Sequence, residues 1–172
     1  MAIVSNDYIS LAKDAVSYYL RHQQAMPCPP DLEETLKPKA AAFVSIKKDG
    51  RLRGCIGTLE PQQDNLAREI IENAIKAATK DPRFEPVSVN ELTGLSFSVD
   101  VLTPLERVDN FAMLDPKRYG LVVKNGDKQG VLLPDLDGVR TVEDQVRLCR
   151  TKGGIEEDDP QEYYRFRVQR HR

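Results

Sequence analysis

Tryptophan is absent from the 172 residues, and histidine occurs only as His22 and His171, near opposite ends of the chain. A Cys–His or Ser–His enzyme would have to recruit one of these two distant imidazoles, which disfavours that chemistry. Cysteine is almost as scarce. Cys28, Cys55 and Cys149 lie far apart, complete no disulfide framework and show no metal-ligand spacing. Thiols of this kind suit a reducing compartment. No apolar run approaches the roughly 20 residues of a membrane span, and Met1 to Tyr8 lacks the basic and apolar regions of a signal peptide. A cytoplasmic address with no membrane partner is therefore expected. A net charge of −2 and a pI near 5.8 provide no global field to recruit nucleic acid, although a local patch stays open. Neither Gly126 to Gly130 nor Asp158-Asp159 matches a phosphate, dinucleotide or metal loop, so no cofactor and no metal are expected.

What is present is the composition of a soluble globular protein, 40% apolar and 30% charged, long enough for a real core. Apolar residues recur at helical spacing from about Asp7 to Gln23, with Ser5 or Asn6 as cap. The run Met26-Pro27-Cys28-Pro29-Pro30 must then be extended, before a short acidic turn at Asp31 to Leu36. Ala40 to Lys47 reads as a strand returning through Asp49-Gly50 into Arg51 to Leu59. Asn65 to Lys80 is a second helix, capped by Asp64. Leu95 to Leu102 alternates as a half-buried strand, and Thr103 to Arg118 reads as loop. Asn125-Gly126-Asp127 turns a second hairpin between Leu121 to Lys124 and Gly130 to Leu133. Thr141 to Thr151 is a third helix, with Thr141 and Asp144 as its capping pair and Gly153-Gly154 as its stop. Tyr163 to Gln169 closes the chain as one strand. The fold class is α+β: a two-lobed single domain over residues 3–171, with a largely antiparallel sheet, about three main helices and two β-hairpins.

Leu52-Arg53-Gly54-Cys55-Ile56-Gly57 departs from ordinary strand composition. Glycine within a strand marks a bulge or a close approach to the backbone. Gly54 and Gly57 with Arg53 suit a ligand whose carboxylate or phosphate pairs with the guanidinium; they equally suit a hairpin on which a helix packs closely. Cys55 beside Arg53 is a candidate nucleophile or contact, against the commoner role of a small buried hydrophobe. Ile56 and Thr58 complete the candidate surface. In Asp81-Pro82-Arg83-Phe84, Arg83 is placed to face an anion with Asp81 orienting it, or Asp81 caps the helix exit while Phe84 plugs the core. The C-terminal Tyr163-Tyr164-Arg165-Phe166-Arg167 superficially suits RNA, yet its alternation fits a strand with a buried aromatic face and a solvent face of arginines.

Leu52 to Gly57 resembles the six-residue hallmark of the AMMECR-type domain family. The resemblance continues through Asp81-Pro82-Arg83-Phe84-Glu85-Pro86-Val87, Glu91-Leu92 leading into Ser96-Phe97-Ser98-Val99, Gly120-Leu121-Val122-Val123, Gly130-Val131-Leu132-Leu133-Pro134 and the helix from Gln145 to Lys152-Gly153-Gly154-Ile155. The form is similar to the stand-alone microbial members known as AmmeMemoRadiSam system protein A. Two positions depart: Tyr119 stands where the family commonly has histidine, and Gly153 stands in a turn that usually reads Lys-Ala-Gly-Leu.

The resemblance implies a two-lobed domain with the hexapeptide at a cleft, in the company of a Memo-like protein and a radical-SAM enzyme. It supplies no reaction. Two functions follow as expectations. One is a component of an enzyme system that binds an anionic small molecule or RNA through Arg53, Gly54, Ile56, Gly57, Thr58, Asp81 and Arg83, with Cys55 as its catalytic candidate. The other is a non-catalytic module engaging a partner protein through the same surface.

Overall fold

The computed structural model describes residues 7–172. Among the described residues three α-helices, α1 (Tyr8–His22), α2 (Leu66–Thr79) and α3 (Val142–Gly153), are interspersed with eight strands. These are β1 (Ala41–Lys48), β2 (Arg51–Gly57), β3 (Leu95–Leu102), β4 (Glu106–Val108), β5 (Gly120–Asn125), β6 (Lys128–Leu132), β7 (Glu162–Phe166) and β8 (Val168–His171). They form two four-stranded sheets, ordered β2-β1-β3-β8 and β4-β7-β5-β6, with β1/β2, β1/β3, β4/β7, β5/β6 and β5/β7 antiparallel. The fold is α+β. It divides into two compact units, the first running to Leu102 and including Gln169–Arg172, the second Thr103–Val168.

In the first unit the β1–β2 hairpin turns at Asp49 and Gly50, whose φ values of 52° and 76° are those an Asp-Gly turn supplies. Ala42, Val44 and Ile46 of β1 and Phe97 and Val99 of β3 share one face, since each pair lies opposite in register. That face is buried beneath α1 and α2, whose Leu11, Ala15, Ile70, Ala74 and Ala77 complete the core. Phe43, Ser45, Cys55, Gly57 and Ser98 lie on the other face. The cap of α1 is Asp7, whose carboxylate accepts the Ile9 N–H at 3.2 Å; Ser5 and Asn6 lie outside the described residues. Asn65 rather than Asp64 caps α2, accepting the Arg68 N–H at 2.9 Å. Both residue types cap well, so composition alone does not choose between neighbours.

In the second unit, α3 packs on β5 and β6 around Val123, Leu132, Val146 and Cys149. The Thr141–Asp144 capping box forms, and Gly154 ends the helix at φ 65°. Gly130 and Gly153 are required by the packing. A Cβ on Gly130 would meet the Cys149 carbonyl, and one on Gly153 would lie 2.7 Å from the Gly130 nitrogen. Cys149 is inert core: burial pushes its thiol up to about 12.

Two stretches differ from the sequence reading. Thr103 to Arg118 contains β4, a three-residue strand too short for any periodicity to show. The final strand is two strands in different sheets. At the break, the Arg167 N–H donates to Thr103 Oγ1 at 2.8 Å, and its carbonyl accepts the Thr103 N–H at 2.9 Å. These bonds take Arg167 out of both ladders.

Candidate functional site

The hexapeptide is the body of β2, an edge strand of the first sheet. Gly54 is buried, and a Cβ there would collide with the backbone carbonyl of Ala77 on α2. The glycine lets the helix lie directly on the strand, the close approach that strand glycine commonly serves. Gly57 is filled differently. The Phe43 ring, opposite it in register, occupies the space a side chain would need. Ile56 turns toward the core beneath α2.

An edge strand exposes unpaired N–H and C=O groups unless something covers them. Here the 81–91 link covers them. The Cys55 N–H donates to Asp81 Oδ2 at 3.0 Å, while Arg83 Nη2 reaches the Cys55 carbonyl at a long 3.5 Å. Arg83 grips Asp81 through Nε at 3.0 Å and Nη2 at 2.8 Å, and its own N–H caps the same carboxylate. Arg53, two residues before Cys55, ties the same link to the strand through its side chain. Its Nε and Nη2 donate to the two oxygens of Glu91 at 3.0 and 3.2 Å, and its Nη1 donates to the Glu85 carbonyl at 2.7 Å. Lys48 also reaches Glu91, at 3.1 Å.

The electrostatics follow from these pairs. The Arg83 hydrogen bond, outweighing burial, holds the Asp81 carboxyl down at about 2. The Arg53 hydrogen bond does the same for Glu91, also at about 2. Both carboxylates are therefore fixed anions at neutral pH and feeble bases. Both arginines have their charge answered, with the Arg53 side chain 16% exposed and that of Arg83 51%. Phe84 does not plug the core. It is half-buried with the Arg83 guanidinium 5.3 Å above its ring, and Val87 takes the core position.

Cys55 lies half-buried on the face of the sheet away from α2, and its Sγ accepts a hydrogen bond from Ser45 Oγ at 3.2 Å. Thr58 is held by a residue that the sequence reading passed over. The buried Glu69 accepts the Thr58 hydroxyl at 2.7 Å and the N–H groups of Gln62 and Gln63 at 2.8 and 2.9 Å. One turn on, Asn73 donates to the Ala42 carbonyl at 2.9 Å. The visible signal for both was a polar pair at i and i+4 on the apolar face of α2. Glu91 carried no comparable signal, because its partner Arg53 is 38 residues away. No group of three or more His, Cys, Asp or Glu side chains is arranged to hold a metal among the described residues.

The C-terminal arginines are not simply a solvent face. Arg165, 19% exposed, donates to the Met113 carbonyl at 2.7 Å and to Glu106, and lies over the Tyr119 ring.

The profile of the AMMECR1 family matches residues 9–171, and the chain belongs to that family. A Thermotoga maritima protein is 47% identical over 99% of both chains. A Methanothermobacter thermautotrophicus protein is 36% identical, over 94% of this chain and 90% of its own. A Clostridium acetobutylicum protein is 45% identical over 96% of this chain, which spans 36% of that longer protein. The crystal structure of an uncharacterised Pyrococcus horikoshii protein superposes with a TM-score of 0.88 over 95% of this chain and 88% of that one, at 29% identity. None of these names carries an activity. Among the described residues, no helix is long and apolar enough to cross a membrane.

Proposed function

We propose that the chain is a non-catalytic binding subunit of an enzyme system, engaging a Memo-like or radical-SAM partner through the sheet face that carries Cys55. The observation that carries this reading is the neutralisation of both hexapeptide-facing arginines. Arg53 is bidentate to Glu91 and Arg83 is bidentate to Asp81. A guanidinium already paired with a carboxylate gains little from a second anion. The arginines and glycines thus serve as scaffold, and the opposite face of the sheet bears Phe43, Ser45, Cys55 and Ser98. Longer company supports a subunit role, since the Clostridium relative extends well beyond the matched region.

The experiment is a calorimetric titration of the purified chain with a purified Memo-like protein, and separately with a radical-SAM enzyme, from the same organism. Cys55→Ala should bind as the native chain does, and Cys55→Trp, folded but obstructed on that face, should not. Equal binding by both variants contradicts the proposal.

A second reading, thiol chemistry assisting an anionic substrate, is favoured by one observation. The half-exposed Arg83 guanidinium reaches the Cys55 carbonyl at 3.5 Å, which brings a cation to the residue that carries the thiol. On this reading, Cys55→Ala binds normally but abolishes turnover of the assembled system.

A further inference from the structure

The geometry points to a phosphate-binding site in the second unit, where Arg167 lies beside the hydroxyl of Tyr119 and the exposed Arg118 precedes that tyrosine in the chain. It stands apart from the reading proposed for Cys55 and does not depend on it. The Tyr119 ring, 9% exposed, has the Arg165 guanidinium 4.3 Å and the Arg167 guanidinium 5.3 Å from its centroid. Both distances lie within the range of cation–π attraction. The Tyr119 main chain is held on both sides. Its backbone N–H donates to the Asp115 carbonyl at 2.8 Å, and its carbonyl accepts the buried Gln145 Nε2 at 2.9 Å.

The two stacked arginines have different circumstances. Arg165 is committed, with Glu106 and the Met113 carbonyl taking its donors. Arg167 is exposed and donates through Nη2 to the Tyr119 hydroxyl at 3.3 Å. Among the described residues, neither Arg167 nor Arg118 forms an ion pair. The Arg167 main chain is tied to Thr103 in both directions, which fixes the base of its side chain. Arg118 is exposed and directly precedes Tyr119 in the chain.

A hydroxyl that already accepts from Arg167 has its own proton to donate, and among the described residues no acceptor takes it. The Arg167 guanidinium, outside any ion pair and with the exposed Arg118 close by in the chain, therefore meets a phenol with a proton to donate, which matches the several acceptor oxygens of a phosphate group better than the two of a carboxylate. The same cations draw the Tyr119 phenol below its ordinary range, with the Arg167 hydrogen bond as the largest cause. A more acidic phenol is a stronger donor to a bound oxyanion. The ligand class is a small phosphorylated molecule, recognised by its phosphate.

The test titrates the full chain with inorganic phosphate at constant ionic strength, following the Arg167 Nε–H and Tyr119 ring resonances by NMR. Saturable shifts at both residues are expected, together with a rise in the Tyr119 titration midpoint as the bound anion opposes phenolate formation. Arg167→Ala should weaken phosphate about ten-fold or more, the scale of one lost charge-assisted hydrogen bond. Arg118→Ala, an exposed change outside the strands, provides a second variant if the first perturbs the fold, and should also weaken binding. A linear response reproduced by chloride, an unchanged affinity in folded Arg118→Ala, or acetate saturating as tightly as phosphate would each overturn the assignment.

Discussion

The Cys55 N–H and the Asp81 carboxylate meet at 3.0 Å across the outer edge of β2. With Arg83 reaching the Cys55 carbonyl, the pair stands in for the strand that this edge lacks. Arg53 ties the same link to the strand through its side chain, pairing with Glu91. The hexapeptide is therefore a strand sealed on one side by an ion-paired link and pressed from above by α2.

Acid should undo this seal in a defined window. The folded Asp81 and Glu91 both titrate at about 2, below their ordinary values of 3.8 and 4.5. Depressed carboxyls stabilise the fold fully above their unfolded values, and lose that contribution as pH falls through the folded ones. Asp81→Asn should cost about 2 kcal/mol at pH 7, discounted for the half-exposed Arg83 partner, and almost nothing near pH 2. Urea denaturation at the two pH values measures the difference.

Gly54 and Gly57 should respond unequally to the same change. Gly54→Ala forces a methyl into the Ala77 carbonyl, which cannot move without shifting α2, and should cost about 3 kcal/mol or more. Gly57→Ala meets the Phe43 ring first, a side chain rather than backbone, so the loss should be smaller. Chemical denaturation of both variants checks the order.

Arg53→Ala separates scaffold from ligand clamp. It breaks the Glu91 pair and two bonds to the Glu85 and Pro86 carbonyls, so stability should fall by about 2–3 kcal/mol. A double-mutant cycle with Glu91→Gln should show coupling of about 1 kcal/mol or more. A fully stable Arg53→Ala would mean the arginine serves something other than the fold.

The fold was legible where periodicity ran long. The three helices, the β1–β2 and β5–β6 hairpins and Leu95–Leu102 all follow from spacing and turn chemistry. Short or shared segments were not. β4 is three residues of mixed charge, and the break at Arg167 depends on Thr103, 64 residues earlier. At the site, the residues were visible but their partners were not. Arg53 and Gly54 stand out in the hexapeptide, yet their roles are set by Glu91 and Ala77, which no local pattern connects to them. Tyr119 stood out only as a departure from histidine, while its arginine neighbours read as an ordinary strand face.

On the proposed function, Cys55 is presented on a partner-binding face while the rest of the hexapeptide is scaffold. Alkylation of the folded chain at neutral pH, resolved by mass spectrometry with and without the purified partner, tests it most directly. Cys55 should be modified in the native state and protected by the partner, while the buried Cys149, its thiol pushed up to about 12, reacts only on unfolding. Modification of Cys55 only after unfolding, or at the same rate with the partner bound, would contradict the account.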